Sequence, residues 1–126
     1  MPKRVLSGPG IVKGELPFSP VIEANGFVFV AGQVGDVPGT PGPVPGGIEA
    51  ETRQMLDNVG RLLKAVGLDY KDVVKATVYM RDMDEFATMN SIYREYFPTE
   101  PPTRATVGVA RLASSFRIEI EVIATR

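Results

Sequence analysis

The chain has 126 residues, 44% of them hydrophobic, which suits a single domain, residues 1–126, with a sizeable buried core. The net charge is −1, with 14 basic and 15 acidic residues, so the chain lacks the strongly basic footprint of a nucleic-acid-binding protein. It has no cysteine and no histidine, which excludes disulfides, thiolate nucleophiles, zinc–thiolate sites and the usual near-neutral general base.

The sequence predicts neither a membrane span nor an export signal. No apolar run approaches the roughly 18 residues that a transmembrane helix needs. The N-terminal segment MPKRVLSGPG is basic but lacks the apolar stretch of a signal peptide. We therefore expect a cytoplasmic protein with no membrane partner. If it is an enzyme, its proton transfers must use Asp, Glu, Lys, Tyr, backbone groups or water.

The first third of the chain predicts a hairpin followed by a loop. Asn25-Gly26 lies between two apolar runs and is a strong hairpin signal, because both residues tolerate positive φ. The strand from Phe27 to Ala31 is apolar at every position, so we expect it to be covered on both faces. Residues 35–47 contain nine glycines or prolines in thirteen positions, which favours a loop over a strand.

A helix over residues 48–66 and a strand over residues 73–80 are predicted next. The helix has an apolar stripe at helical spacing, and Gly67 is suited to end it. The strand, VVKATVYM, is rich in β-branched residues. The apolar stripe of the helix consists of Met55, Val59, Leu62, Leu63 and Val66.

A second helix is predicted at about residues 83–97. Asp82 followed by Glu85 resembles a capping box, and Pro98 stops the helix. Its inner stripe consists of Phe86, Met89, Tyr93 and Tyr96 or Phe97. We interpret Tyr79, Tyr93 and Tyr96 as core residues rather than catalytic ones.

Two strands, residues 104–111 and 117–124, complete the order ββ-α-β-α-ββ. The last strand places Ile118, Ile120 and Val122 on one face and Glu119 and Glu121 on the other. Two amphipathic helices can cover one face of a sheet, so we predict a two-layer α/β sandwich. The other face, carrying Arg104, Thr106, Glu119 and Glu121 or their opposite-face neighbours, is expected to pack on another subunit.

The segment PPTRATVGVARL, residues 101–112, carries the first candidate binding residue. Alternation along the strand places Arg104, Thr106, Gly108 and Ala110 on one face, where small residues leave space. The planar guanidinium suits bidentate binding of a carboxylate. The alternative is an interface salt bridge with Glu119, across a hairpin or between subunits, and the pattern favours neither.

Three further residues are candidates, each with a structural alternative. Gly32-Gln33 ends the predicted strand, and a glycine there lets a ligand approach the backbone, although a simple strand terminus is the commoner explanation. Asn90 interrupts the apolar side of the second helix, either as a solvated residue or as one that points into a pocket.

Four segments together resemble the Rid/YjgF family of reactive intermediate deaminases. They are AGQVG at 31–35, TVYMRDMDEFATMNSIYREYF at 77–97, PPTRATVGVARL at 101–112 and IEIEVIA at 118–124. The resemblance covers nearly the whole chain in order. It implies a chorismate-mutase-like fold, with a mixed sheet and two helices on one face, assembled as a homotrimer with clefts between subunits.

The resemblance also implies roles for the candidate residues. Arg104 matches the arginine that grips the substrate carboxylate, and Glu119 matches the glutamate that places the attacking water. Both are therefore expected to be catalytic. The substrate-binding residues that it implies are Phe18, Ala31, Gly32, Gln33, Asn90, Arg104 and Thr106. The implied reaction hydrolyses enamines or imines of the 2-aminoacrylate or 2-iminopropionate type to 2-keto acids and ammonia, with no cofactor and no metal.

Three positions depart from the pattern of the best-known members. Phe18 replaces a tyrosine, Ala31 a serine and Thr106 a cysteine, so two hydroxyls and a thiol are lost. These departures favour a rival function, a non-catalytic trimeric protein that binds small carboxylates in the same cleft. A ribonuclease activity has also been attached to the family, but the near-neutral charge argues against it.

Overall fold

The protein, described by a computed structural model over residues 2–126, forms one six-stranded mixed sheet with two helices packed on one face. The sheet order is β1-β2-β3-β6-β4-β5, and only the β4–β5 pair is parallel. The strands are β1 (Arg4–Val5), β2 (Val21–Ala24), β3 (Phe27–Val34), β4 (Val73–Met80), β5 (Thr103–Gly108) and β6 (Ile118–Thr125). The helices are α1 (Gly47–Ala65) and α2 (Phe86–Tyr96). The predicted two-layer sandwich is confirmed, with the short strand β1 added at the edge.

The core lies between the two helices and the sheet. The stripe predicted for α1 is buried except for Val66, which packs at the margin of the core. From α2, Met89, Ile92 and Tyr93 enter the same core. On the sheet side the core is formed by alternate residues of the central strands, among them Val28, Val30, Ala76, Val78, Ile118, Ile120 and Val122.

The local turn and cap signals have mixed outcomes. Asn25 and Gly26 have φ values of 53° and 81°, so the hairpin between β2 and β3 is confirmed, and Gly67 has a φ of 82° just after α1. Asp82 caps a short 3₁₀ turn, residues 83–85, rather than α2 itself. Glu85 does not complete a capping box, because its carboxylate accepts a hydrogen bond from Arg117 at 2.9 Å.

The last two strands do not pair with each other, so Arg104 and Glu119 do not meet across a hairpin. β6 lies between β3 and β4, and β5 pairs with the opposite edge of β4. The connection therefore crosses the end of β4, where the Val109 amide donates to the Met80 carbonyl and the Arg81 amide donates to the Arg117 carbonyl. A connection of this length passes over a neighbouring strand, which a tight hairpin turn cannot do.

The second face of the sheet is uncovered within one chain. Phe27 and Phe29 are 46% and 42% exposed there, so the prediction that their strand is covered on both faces is wrong for a single subunit. Val107, which pairs with Tyr79, is exposed on the same face. Tyr79 also lies on this face and donates to Glu121 at 2.7 Å, so it is not the core residue that the sequence predicted.

No helix within residues 2–126 is long and apolar enough to cross a membrane.

Candidate functional site

Arg104 and Thr106 lie on the face of the sheet that the helices cover. Their parallel register pairs Arg104 with Ala76 and Thr106 with Val78, and both partners belong to the core face of β4. The prediction that these side chains share a face with Glu119 and Glu121 is therefore wrong. Because β5 is an edge strand, the Arg104 side chain reaches the rim of the core next to α2 rather than its centre.

Helix α2 holds the Arg104 guanidinium through three residues spaced at i, i+4 and i+7. Asn90 Oδ1 accepts a hydrogen bond from Arg104 Nη1 at 2.7 Å. The guanidinium carbon lies 4.7 Å from the centre of the Tyr93 ring and 5.6 Å from that of Phe86. This spacing places the three side chains on one face of the helix, and cation–π attraction adds to the hydrogen bond.

Arg104 lines a cavity of about 450 Å³. Within residues 2–126 the guanidinium donates only to Asn90, so it keeps donors for a ligand in their fixed planar fork. The cavity is lined chiefly by Asn90, Tyr93, Arg94, Phe97, Pro98 and Arg104. A planar donor pair at the rim of a cavity is the arrangement that binds a carboxylate in two-pronged fashion.

Two buried hydroxyls near Arg104 have no hydrogen-bond partner within residues 2–126. They are Thr106 Oγ1 and the Tyr93 hydroxyl, whose pKa is raised by burial. Leaving such a group unpaired costs stability, and a bound ligand or water removes the cost. The face is also more crowded than predicted, because a Cβ on Gly108 would lie 3.0 Å from Met83 Cγ.

Glu119 lies on the uncovered face, above a β-bulge in β3. The register between β3 and β6 shifts between Val30 and Gln33, so Ala31 and Gly32 share one position of the ladder. The Glu119 carboxylate occupies the place that a Cβ on Gly32 would take. Burial, together with the nearby negative charge of Glu121, raises the pKa of Glu119.

The other predicted binding residues surround this bulge. Gln33 Nε2 donates to the Ala31 carbonyl at 2.9 Å, and the Ala31 amide donates to the Pro20 carbonyl at 2.9 Å. Phe18 is 54% exposed and lines, with Gly32 and Gln33, a second cavity of about 290 Å³ beside α1. The bulge thus has its own hydrogen bonds and an open neighbouring cavity.

The predicted site residues therefore form two separate groups within one chain. The first group lies at the cavity beside α2, which we call the arginine cavity: Asn90 and Arg104 line it, and Thr106 follows two residues along β5 on the same face of the sheet. The second, which we call the bulge site, contains Phe18, Ala31, Gly32, Gln33 and Glu119. Arg104 and Glu119 form no ion pair within residues 2–126, since they lie on opposite faces of the sheet with β4 between their strands.

Sequence reasoning missed the aromatic side chains that hold Arg104 and a buried glutamate. The spacing of Phe86, Asn90 and Tyr93 could have revealed the first. The second, Glu51, is 3% exposed and accepts a hydrogen bond from the Arg117 amide at 2.9 Å, and burial raises its pKa. No local signal marks Glu51, because its partner lies 66 residues away along the chain.

Residues 2–126 contain no group of three or more Asp or Glu side chains placed to hold a metal ion.

Comparison with known proteins finds a matching family profile, similar sequences and similar solved structures. The sequence profile of the endoribonuclease L-PSP family matches residues 12–126. A RutC family protein of Pyrococcus horikoshii is 46% identical over 86% of each chain. The mouse 2-iminobutanoate/2-iminopropanoate deaminase is 43% identical over 87% of this chain and 82% of its own length. The crystal structure of Escherichia coli TdcF with bound serine is 32% identical, with a TM-score of 0.88 over 98% of both chains.

Proposed function

Because the chain belongs to the endoribonuclease L-PSP family, the family of Rid and YjgF proteins, we propose that it is an enamine/imine deaminase. Its substrates are small carboxylates of the 2-aminoacrylate or 2-iminopropionate type, and its products are 2-keto acids and ammonia. The observation that carries the proposal is the Arg104 guanidinium, which Asn90 and two rings hold at the lining of a cavity and which donates only to Asn90 within residues 2–126. The similarity to the mouse deaminase supports the same reaction.

Arg104 binds the substrate carboxylate through two parallel N–H donors. Asn90 occupies one edge of the guanidinium at 2.7 Å and fixes its plane, so little side-chain entropy is lost on binding. The anchored carboxylate places the adjacent C=N carbon at a fixed distance from the arginine. Positioning of this kind can supply a large part of the rate enhancement for an imine that is already reactive.

Glu119 holds the attacking water. The water oxygen adds to the C=N carbon as one water proton passes to the Glu119 carboxylate, which gives that proton to the imine nitrogen, so that the nitrogen becomes an amine. The hydroxyl proton then moves to this nitrogen as the C–N bond breaks, ammonia leaves and the keto group forms. A carboxyl group whose pKa is raised by burial suits this role, because proton transfer is best served by a pKa nearer the working pH.

The two groups must come from different subunits for this reaction. Arg104 and Glu119 face opposite sides of the sheet, and the uncovered face exposes Phe27, Phe29 and Val107. A homotrimer that buries this face in clefts between subunits brings the arginine cavity of one chain to the bulge site of the next. A cytoplasmic location and a reaction without a cofactor remain predictions from the sequence.

A non-catalytic carboxylate-binding protein is the second candidate. TdcF was solved with bound serine, which is itself a small carboxylate. Phe18, Ala31 and Thr106 lack the tyrosine hydroxyl, serine hydroxyl and cysteine thiol of the better-known members. Such a protein would use Arg104 in the same way and would lack turnover.

The decisive experiment generates 2-iminopropionate in situ from alanine with an amino-acid oxidase and follows its decay with and without the protein. Catalysed decay supports the deaminase, whereas saturable binding of pyruvate without accelerated decay supports the binding protein. Arg104→Ala should abolish either property, with a loss of about 100-fold or more, because a charge-assisted bidentate contact contributes several kcal/mol. Arg104→Lys should keep only part of the binding or turnover that Arg104→Ala loses.

The matched control is Arg111→Ala, which removes the same charge from an exposed arginine outside both cavities. Thermal melting and molecular mass should be measured on each sample. An Arg104→Ala protein that melts like the wild type and still hydrolyses the imine at the wild-type rate would contradict the assignment.

A further inference from the structure

Arg94 lies one helical turn after Asn90 on α2 and lines the same cavity as Arg104. Its side chain is exposed, and within residues 2–126 it forms no ion pair and no side-chain hydrogen bond. The adjacent Glu95 is engaged elsewhere, with Arg53 at 2.9 Å. Arg94 therefore brings a second, uncompensated positive charge to the arginine cavity.

The cavity lining is cationic in a chain that is slightly acidic overall. It contains two guanidiniums, those of Arg94 and Arg104, and no carboxylate, although the net charge of the chain is −1. The nearest acidic residue of the following loop, Glu100, lines a different cavity, with Tyr70 and Tyr96. Low-dielectric walls such as Tyr93, Phe97 and the prolines strengthen the attraction for anions.

The cavity is also larger than a three-carbon imino acid requires. Its volume of about 450 Å³ falls in the range of pockets that enclose considerably larger ligands. Asn90, which holds Arg104, and Arg94 are separated by four helical residues, about 6 Å along the axis. A substrate side chain of one or two methylenes ending in a carboxylate bridges a distance of this order.

We infer that Arg94 is a second anion-binding residue, and that the site takes imino acids whose side chain carries a second carboxylate. This inference rests on the proposed function and specifies its substrate class. Arg104 binds the carboxylate next to the imine carbon, and Arg94 binds the one at the end of the side chain. An imino dicarboxylate thus has both its charges neutralised, whereas an aliphatic imine leaves Arg94 without a partner.

A structural role for Arg94 makes a different prediction. A cation in the last turn of a helix is stabilised by the helix dipole, and Arg94 occupies the last turn of α2. In that case Arg94→Gln should lower the melting temperature slightly and leave the choice of substrate unchanged. The measurement must therefore compare two substrates on the same variant.

The test measures kcat/KM for 2-iminoglutarate and for 2-iminobutyrate, each generated in situ from its amino acid, and takes their ratio. Arg94→Gln should lower this ratio about tenfold, because the rate on 2-iminobutyrate, whose single carboxylate binds Arg104, should fall much less than the rate on 2-iminoglutarate. Arg94→Lys should retain most of the ratio. Arg111→Gln, which removes one charge outside the cavity, should leave the ratio unchanged. An equal ratio in the wild type and Arg94→Gln overturns the inference.

Binding measurements separate this inference from the proposed function. Calorimetry with glutarate and butyrate, which need no turnover, should show tighter binding of glutarate to the wild type and a loss of that preference in Arg94→Gln. If no imine is hydrolysed, the deaminase proposal fails, and the glutarate preference and its loss in Arg94→Gln still support the subsite. Equal binding of the two acids to the wild type, or binding of neither, overturns the inference.

Discussion

The arginine cavity and the bulge site differ in how far a single chain prepares them. Arg104 has its hydrogen bond to Asn90, the rings of Phe86 and Tyr93 around it, and a cavity ready for an anion. At the bulge, Glu119 sits above Gly32 with a carboxyl pKa raised by burial, next to an open sheet face. One region is ready to bind, and the other carries a reactive group with no ligand anchor beside it.

If the proposed roles of Arg104 and Glu119 hold, this difference separates substrate binding from the chemical step in the fold. An anion can be held wherever a rigid element fixes an arginine, and α2 does this locally, over two helical turns. A water molecule must be held between a base and the reacting carbon, which needs both regions at once. The sheet keeps them apart within one chain, so we expect one subunit to bind carboxylates and only the assembly to hydrolyse imines.

The strongest test of that separation mixes two inactive variants. Arg104→Ala lacks the anchor and Glu119→Gln lacks the base, and each should lose at least about 100-fold in kcat/KM. If each site takes its two groups from neighbouring subunits of a ring of three, an equal mixture refolded together should regain activity at about one quarter of all sites, which is about one site in three of each mixed assembly. Activity of the mixed assemblies, purified through two different tags, gives the measurement.

In the control, the double variant Arg104→Ala/Glu119→Gln is refolded together with either single variant, and the mixed assemblies are purified through the same two tags. These mixtures contain no complete pair in neighbouring subunits and should stay inactive. Absence of recovery in the mixture of the two single variants, with mixed assemblies confirmed by mass, would show that both groups act within one subunit.

A smaller loss should follow from crowding the bulge site alone. Gly32→Ala places a Cβ where the Glu119 carboxylate now lies, so the carboxylate must turn away. A displacement of this size at a catalytic group should lower kcat by about 10- to 100-fold, with little change in the binding of pyruvate at Arg104. Steady-state kinetics and calorimetry on the same sample would show this split.

The matched control is Gly14→Ala, because a Cβ there meets no atom within 4 Å and the backbone φ is not in the left-handed region. Its kinetics should equal those of the wild type. Equal losses of pyruvate binding and of kcat in Gly32→Ala would argue that the two regions are coupled rather than separate.

Sequence patterns predicted the elements better than their arrangement. The helical stripes, the β4 strand and the Asn25-Gly26 turn are local, and each appears within a residue or two of its predicted place. The order of β5 and β6 depends on a crossover, and two consecutive strands alone suggest a hairpin. The face of Arg104 was wrong for a related reason, because alternation tells which residues of one strand share a face but not which face of the sheet it is.

The same limit applies to the site. Arg104, Asn90 and Glu119 could be named from residue type, pattern and family resemblance. That Arg104 is held between Phe86 and Tyr93 depends on α2 packing beside β5, which the sequence leaves undetermined. The burial of Glu51 against the Arg117 amide depends on contacts between segments distant in sequence, so no local pattern indicates it.

A moderate gain is expected from restoring two hydroxyls around the bulge. Phe18→Tyr combined with Ala31→Ser supplies groups that can orient water or substrate near Gly32. Each hydrogen bond contributes about 0.5–1.5 kcal/mol net, so the pair should raise kcat/KM for 2-iminopropionate on the order of tenfold. Calorimetric affinity for pyruvate should change little, because the arginine cavity is untouched. No gain, or a loss, would indicate that the site is built for a different substrate.

The smallest expected effect concerns the acid limb of the pH profile. Burial and the charge of Glu121 both raise the pKa of Glu119, and the carboxylate is the form that accepts a proton from water. Activity should therefore fall as the pH drops through this raised pKa. Glu121→Gln removes one of the two causes, so the acid limb of kcat/KM should move to lower pH. Tyr79→Phe is the control, since it removes the 2.7 Å hydrogen bond to Glu121 but keeps the charge.

The ionisation of Glu119 should also make the stability of the fold depend on pH. A raised carboxyl pKa means that the fold favours the protonated form of Glu119. The resulting stabilisation is fully present below the ordinary glutamate pKa and is lost as the pH rises through the raised value. Glu121→Gln should reduce this pH dependence of the melting temperature between acidic and neutral pH, together with the shift of the acid limb. A profile that moves to higher pH, or an identical shift in Tyr79→Phe, would show that Glu121 does not act on Glu119 through its charge.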